Sequence, residues 1–462
     1  MPSLSKLTWM DIRSLCRVVI KFREAGPAAL DRMQELLARY PGTTGHPLFT
    51  SVPPDTIAHW TEKARQASPG YLPPDFTAYH ALECPHEDQA ALLSRQLNAH
   101  EAVALAYVEQ GFADAPSTPP GPAPGSRQGY LNPAPEGIDA HYAWRMTGGN
   151  GSGAVRYIDI EQGWLPHHEA VALHMLPCTG INNRRSAEHG TAVLGIIGAQ
   201  AGEAGLVGIA SYARGHVVSQ WRPGGAFNTA DAVMAAIGQL QWGDILLIEA
   251  QTWHTGTLAK TWPVEVHEAC YQSIRLATAL GIIVIEPAGN GSTGEPAGND
   301  LDSFFLDGKS VLNPLSADFR DSGAIMVAAA TSTVPHVRLA WSNYGRRINC
   351  YAWGESVRTA GSHPRSSGMA INTYTAAFGG TSAASAIVAG AAISLQSIAE
   401  ANHHFRLSPQ QMRSLLGDDS SGTPSAGGRW EDKIGVMPNL QKMISQALLL
   451  QPPHTGRQSF SK

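Results

Sequence analysis

The chain has 462 residues, 43% hydrophobic and 15% charged, with 47 glycines. That is room for more than one domain and a sizeable core, and the wrong composition for a disordered or coiled-coil protein. A net charge of −5 gives no basic footprint for nucleic acid. No apolar run reads as long enough to span a bilayer. The apolar cluster Val18-Val19-Ile20 is too short for a secretory h-region, which leaves a cytoplasmic location or non-classical export open. Cys16, Cys84, Cys178, Cys270 and Cys350 stand singly with no CxxC pair, so they read as reduced, mostly buried thiols rather than a zinc or disulfide framework.

In chain order, the β-branched alternation of 16–24 (CRVVIKFRE) predicts a strand, and 26–40 spaces Leu30, Met33, Leu36 and Leu37 at helical intervals. The proline- and aromatic-rich stretch 41–80 gives no clear pattern. A helix is expected over 86–97 and a strand over 101–110. The proline- and glycine-rich 114–127 reads as a linker. The domain reading is therefore 1–113 as a small α+β unit, 114–127 as linker, 128–450 as the main domain and 451–462 as tail.

Beyond the linker, apolar strands and amphipathic helices alternate. Strands are expected at 154–160, 216–220, 244–250, 282–290 and 324–330. Helices are expected from about 189, over 229–240 and over 263–280. Continuous apolar strands between helices imply an α/β fold, a parallel β-sheet with helices on both faces. In such sheets the site lies beyond the C-terminal strand ends. That rule nominates Asp159 (in YIDIEQGW), Glu249 (in LLIEAQT) and the loop holding Asn290 (in EPAGNGS).

Two further segments carry chemistry. His189 stands at a helix start in EHGTAVLGIIGA. Ser382 stands in GGTSAASAIVAGAA (379–392), where glycines permit a sharp turn and small residues permit a helix to pack deep. A helix N-terminus offers unpaired N–H groups and favours negative charge. Each residue alone has an ordinary explanation: a strand-end carboxylate, a capping histidine, a turn asparagine, a tightly packed small-residue helix.

Together, the order Asp, His, Asn, Ser resembles the subtilisin-like serine proteases, on YIDIEQGW, EHGTAVLGIIGA, LVGIA, EPAGNGS, WSNYG and GTSAASAIVAGAA, roughly over 128–445. The resemblance implies a serine endopeptidase acting on proteins or peptides. Ser382 would be the nucleophile, His189 the base, Asp159 the residue orienting the imidazole, and Asn290 the oxyanion donor. It implies no cofactor for the chemistry, though structural calcium occurs in the family; the acidic loop residues Asp300, Asp302 and Asp307 read first as solvated loop charges, with calcium binding the alternative. The N-terminal unit resembles a propeptide that assists folding and blocks the site until cut; the alternative is a permanent binding domain.

Glu249 stands where relatives usually have a Ser-Leu-Gly-like wall of the substrate pocket, and Glu286 ends the other candidate wall strand. Two such carboxylates in one pocket would bind Arg or Lys; the alternative is that either glutamate is protonated, hydrogen-bonded to the backbone or turned away. On the basic-pocket reading the chain cuts itself between Arg127 and Gln128; the alternative is a cut near Gln110-Gly111. A second class of reading is a subtilase-fold binding or scaffold protein without activity. A lipase-like hydrolase lacks its GxSxG elbow. A metal hydrolase built on His167, His168 and Glu169 lacks HExxH. Oligomeric state is not legible.

Overall fold

The computed structural model describes residues 16–24, 31, 34–35, 37–110, 128–171, 178–202, 205–253, 260–292, 297–361, 364–365, 368–369 and 372–450. The linker at 114–127, Arg127 and the tail at 451–462 lie outside them, as does part of the helix expected over 26–40.

The N-terminal unit contains β1 (Cys16–Phe22), β2 (Thr44–Pro47), α1 (Pro54–Ala67), β3 (Tyr79–Cys84), α2 (Glu87–Asn98) and β4 (Val103–Gln110). Its strands form one antiparallel sheet in the order β2-β3-β1-β4. Alternation decides the two faces. Val18 and Ile20 pack with Leu82, Leu93 and Leu97 beneath α2, whereas Val19 turns to the other face. Within the unreadable 41–80, α1 begins with proline at its first turn and buries only Ile57 and Ala64. So narrow an apolar stripe leaves little periodic signal.

The main domain is built on β5 (Arg156–Glu161), α3 (Ala187–Gly198), β6 (Arg214–Ser219), α4 (Thr229–Ile237), β7 (Ile245–Ile248), α5 (Glu268–Ala279), β8 (Ile283–Pro287), β9 (Ile325–Ala330), β10 (Cys350–Trp353), α6 (Gly380–His403) and β11 (Val436–Met437). Six parallel pairings run in the order β11-β10-β9-β8-β7-β5-β6, with Thr423–Pro424 antiparallel at the edge. The chain steps from β5 out to β6, then returns to the other side of β5 for β7. That reversal opens a crevice at the C-terminal ends of β5 and β7.

Strand parity sorts the sheet's two faces. Tyr157, Leu247, Ile283 and Ile285 join the core beneath α3 and α6, while Ile158, Ile160, Ile248 and Val284 join the core beneath α4 and α5. Helix α6 crosses the first of these cores, buried from Gly380 to Ala399. It is long and apolar enough to cross a membrane by composition, which corrects the expectation that no such run exists; its apolar window is wholly buried in the protein. Small residues permit this burial. A Cβ at Gly390 would fall 2.7 Å from Ile209 Cβ.

The N-terminal sheet lies on α4 and α5 through a polar seam. Arg17 pairs with Glu109 and donates to the Phe227 carbonyl at 2.7 Å, and the His267 ring lies 3.2 Å from Glu109. Asp231 accepts from the backbone N–H of Thr50 and Ser51 at 2.8 and 3.0 Å, and from Arg222 at 3.0 Å. Strand β4 also packs beside the short strand Gln251–Trp253, next to the crevice. The five cysteines are free, four of them buried.

Candidate active site

Ser382 stands in the first turn of α6. Gly380 before it has φ +88°, a left-handed conformation that favours glycine, and the turn it makes brings the helix start to the crevice. His189 sits in the first turn of α3, and Gly190 beside it is required by packing: a Cβ there would lie 2.5 Å from the Gly163 carbonyl and 2.7 Å from the Trp164 ring. The imidazole also meets Phe378 edge-on, with ring centroids 5.4 Å apart.

The carboxylate on the His189 ring is that of Glu161, which meets Nδ1. This corrects the expectation placed on Asp159. Asp159 and Glu161 share one face of β5 because side chains alternate with a period of two. Asp159 lies one step back from the strand end, wholly buried, and accepts from the Trp164 indole N–H at 2.7 Å. Burial first, then the Glu161 charge, push its carboxyl well above the ordinary aspartate range, against the Trp164 bond. A neutral Asp159 fits that setting; the strand-end position belongs to Glu161. The signal that would have found it is the strand-end rule itself, applied two residues further on.

Asn290 follows β8 in the turn that faces Ser382. Its Oδ1 accepts from Thr381 N–H at 2.8 Å and from Thr381 Oγ1 at 2.9 Å, so its Nδ2 is the end left to donate. A Cβ at Gly380 would lie 3.5 Å from that Nδ2. The Asn290 N–H is itself held by Gln251 Oε1 at 2.9 Å.

Glu249 lies one residue beyond β7, on the same face as Glu161. It is 5% exposed and its Oε1 receives the Ser385 hydroxyl at 2.6 Å. One ligand-type atom from each of Glu161, His189 and Glu249 falls within 4.8 Å of the others. Burial, chiefly, and the Glu161 charge raise the Glu249 carboxyl to about 8, against the opposing effects of His189, Ser385 and Ser382.

Glu286 does not join this group. Its parity on β8 turns it to the α4–α5 face, the opposite side of the sheet from Ser382. There it is fully buried and accepts the Glu265 N–H at 3.0 Å, next to the Arg347–Glu265 pair. With Glu286 behind the sheet and Glu249 tied to Ser385, the two do not form walls of one basic-residue pocket. Asp300 and Asp302 do not suit calcium either: Lys433 Nζ lies 3.1 and 3.2 Å from them, and Arg346 lies 2.7 Å from Asp302. Two cationic side chains already fill the place a cation would take. His168 is spent on the Thr373 carbonyl at 2.7 Å, and Glu169 on the Tyr374 hydroxyl at 2.6 Å.

Among solved structures, the chain is similar to fervidolysin from Fervidobacterium pennivorans, described as a keratinolytic enzyme related to subtilisin. The identity is 14% and the TM-score 0.58, over 94% of this chain and 61% of that one. It is also similar to a protease of Pseudoalteromonas arctica PAMC 21717, at 19% identity and TM-score 0.49, over 72% of this chain and 100% of that one. The chain thus spans less than two thirds of the length of fervidolysin, and at such identity the likeness speaks to the fold alone. No curated protein matches. The subtilase family model matches residues 177–436, more than half of the chain, though it begins after β5 and so does not reach Glu161. On that match, the chain belongs to the subtilase family.

Proposed function

We propose that the protein is a serine endopeptidase in which Ser382 attacks the peptide carbonyl, His189 accepts its proton and Glu161 holds the imidazole. The observation that carries this reading is the Glu161–His189 Nδ1 contact at the crevice onto which the first turn of α6 opens. With Nδ1 committed to a carboxylate, Nε2 is the basic nitrogen. It takes the Ser382 proton as the C–O bond forms and returns it to the leaving amine as the C–N bond breaks. A water then repeats the cycle on the acyl-enzyme, so that one peptide bond and one water give an acid and an amine. The oxyanion is received by Asn290 Nδ2 and the Ser382 N–H. The Thr381 bonds fix Asn290 before reaction begins, so little reorganisation is left for the transition state.

The N-terminal unit acts as an inhibitory propeptide. In support, β4 packs beside the short strand Gln251–Trp253, next to the crevice. Gln128 exchanges hydrogen bonds with the Val207 backbone, at 2.7 and 2.9 Å, an anchor suited to the start of a separate domain. With no paired acidic pocket for Arg127, the cut is better placed near Gln110-Gly111.

Two measurements test this. A fluorophosphonate probe is expected to label wild type on Ser382 and to leave Ser382→Ala unlabelled; a folded wild type that resists labelling would mean a silent scaffold. Intact mass is expected to show wild type cut near residue 110 and Ser382→Ala full length. A cut between Arg127 and Gln128 would restore the basic-specificity reading, and equal processing of both proteins would deny self-cleavage.

A further inference from the structure

Behind the nucleophile lies a group that the triad does not use. Ser385 Oγ is surrounded by three oxygens: Glu249 Oε1 at 2.6 Å, the Thr381 carbonyl at 2.9 Å and the Ser382 carbonyl at 3.1 Å. A hydroxyl carries one hydrogen, so its own proton serves one of the three. With Ser385 donating, that proton serves Glu249 Oε1; a proton on Glu249 permits the reverse arrangement, in which the carboxyl donates to Ser385 and Ser385 donates to the Thr381 carbonyl.

The surrounding charges point the same way. Facing Glu249 are Asp159 and Glu161 from β5, His189 from α3, and the hydroxyls of Ser382 and Ser385 from α6. No Lys or Arg pairs with it among the described residues. As His189 takes the Ser382 proton, the site holds an imidazolium, the Glu161 carboxylate and a new oxyanion. A second ionised glutamate in this buried setting would add a negative charge close to where the oxyanion develops.

We propose that Glu249 is a positioning residue that must stay protonated for Ser382 to react, and that loss of its proton to solvent at alkaline pH switches the enzyme off. This rests on the serine-endopeptidase reading above. Glu249 acts through Ser385 and through the field at Ser382, and it touches no substrate atom. Its carboxyl, raised to about 8, places the switch just above neutrality.

The test is the rate of Ser382 labelling by a small fluorophosphonate from pH 5 to pH 10, on the full chain as purified. Wild type is expected to lose about tenfold per pH unit above the ionisation of Glu249. Glu249→Gln, which keeps a donor toward Ser385 and cannot ionise, is expected to label within a few-fold of wild type at pH 7 and to lose the alkaline fall. Glu249→Asp, which can ionise on a shorter stem, is expected to keep the fall and move its midpoint. An alkaline fall of unchanged midpoint in Glu249→Gln overturns the proposal, as does a wild type whose labelling does not fall by pH 10. Should Glu249→Gln not fold, an unmoved midpoint in Glu249→Asp overturns it alone. Absence of labelling at every pH overturns the endopeptidase reading along with it, whereas labelling with the wrong pH profile overturns only the role of Glu249.

Discussion

The crevice floor and the domain seam are made from the same parts, a buried glutamate near a histidine, and treat the carboxyl in opposite ways. At the seam, burial alone would raise Glu109, but the Arg17 guanidinium and the His267 ring outweigh it and bring the carboxyl down to about 2. On the floor, burial raises Glu249 to about 8, and the neighbouring Glu161 adds to the rise. The difference is the arginine at the seam and the second carboxylate on the floor. A guanidinium turns a buried carboxyl into a fixed structural anion. Without it the same side chain stays close to neutral, and its proton becomes available to chemistry near pH 7.

The largest effect is expected on the floor, where Ser382→Ala or His189→Ala should each lower kcat by about 10⁴–10⁶ with the fold intact, read by steady-state hydrolysis and thermal melting. Comparable turnover by either variant would remove that residue from the mechanism. Asn290→Ala comes next, with kcat expected to fall about 10²–10³ and KM to change little, because the oxyanion exists only on the way to the transition state. A change confined to KM would make Asn290 a substrate-binding residue.

At the seam, Arg17→Ala leaves Glu109 buried without its cation, and is expected to destabilise the intact chain by about 3–5 kcal/mol in denaturant unfolding. Wild-type stability would contradict the account of Glu109. Acid should act in the same sense with smaller effect. The folded-state Glu109 sits below its ordinary value of 4.5, so its contribution is present above that value and is lost as pH falls from there toward 2. Glu249 runs the other way. Raised in the folded state, it contributes most below about 4.5 and loses that contribution as pH rises through about 8. A seam that holds unchanged to pH 2, in a limited-proteolysis series, would break the contrast between the two clusters.

Much of this was legible in the sequence, by the rules that govern strands. The apolar runs of β1 and of β5 through β9 announced themselves, and the alternation of strands with helices gave the parallel sheet. His189, Asn290 and Ser382 lie at the crevice because helix starts and strand ends meet there. Helix α1 was lost because only Ile57 and Ala64 of its fourteen residues are buried, and two apolar positions make no period. Glu161 was missed by a single step of two residues: Asp159 lies on the correct face of β5, but the strand runs on to Glu161 before it ends. Glu286 went wrong by parity. Register pairs Ile285 with Leu247, so Glu286 aligns with Ile248 and turns away from Glu249, a relation visible only once the two strands are paired.

On the proposed mechanism Glu161, which meets His189 Nδ1, holds the imidazole and Asp159 does not. The most direct test of this is kcat/KM for Glu161→Gln beside Asp159→Asn, on a peptide substrate at pH 7. Loss of the carboxylate on Nδ1 should cost about 10⁴, whereas replacing Asp159, whose carboxyl burial pushes up, by its amide should leave activity within about tenfold, since the Trp164 N–H still finds an acceptor. The reverse order, with Asp159→Asn the crippled variant and Glu161→Gln active, would contradict the account.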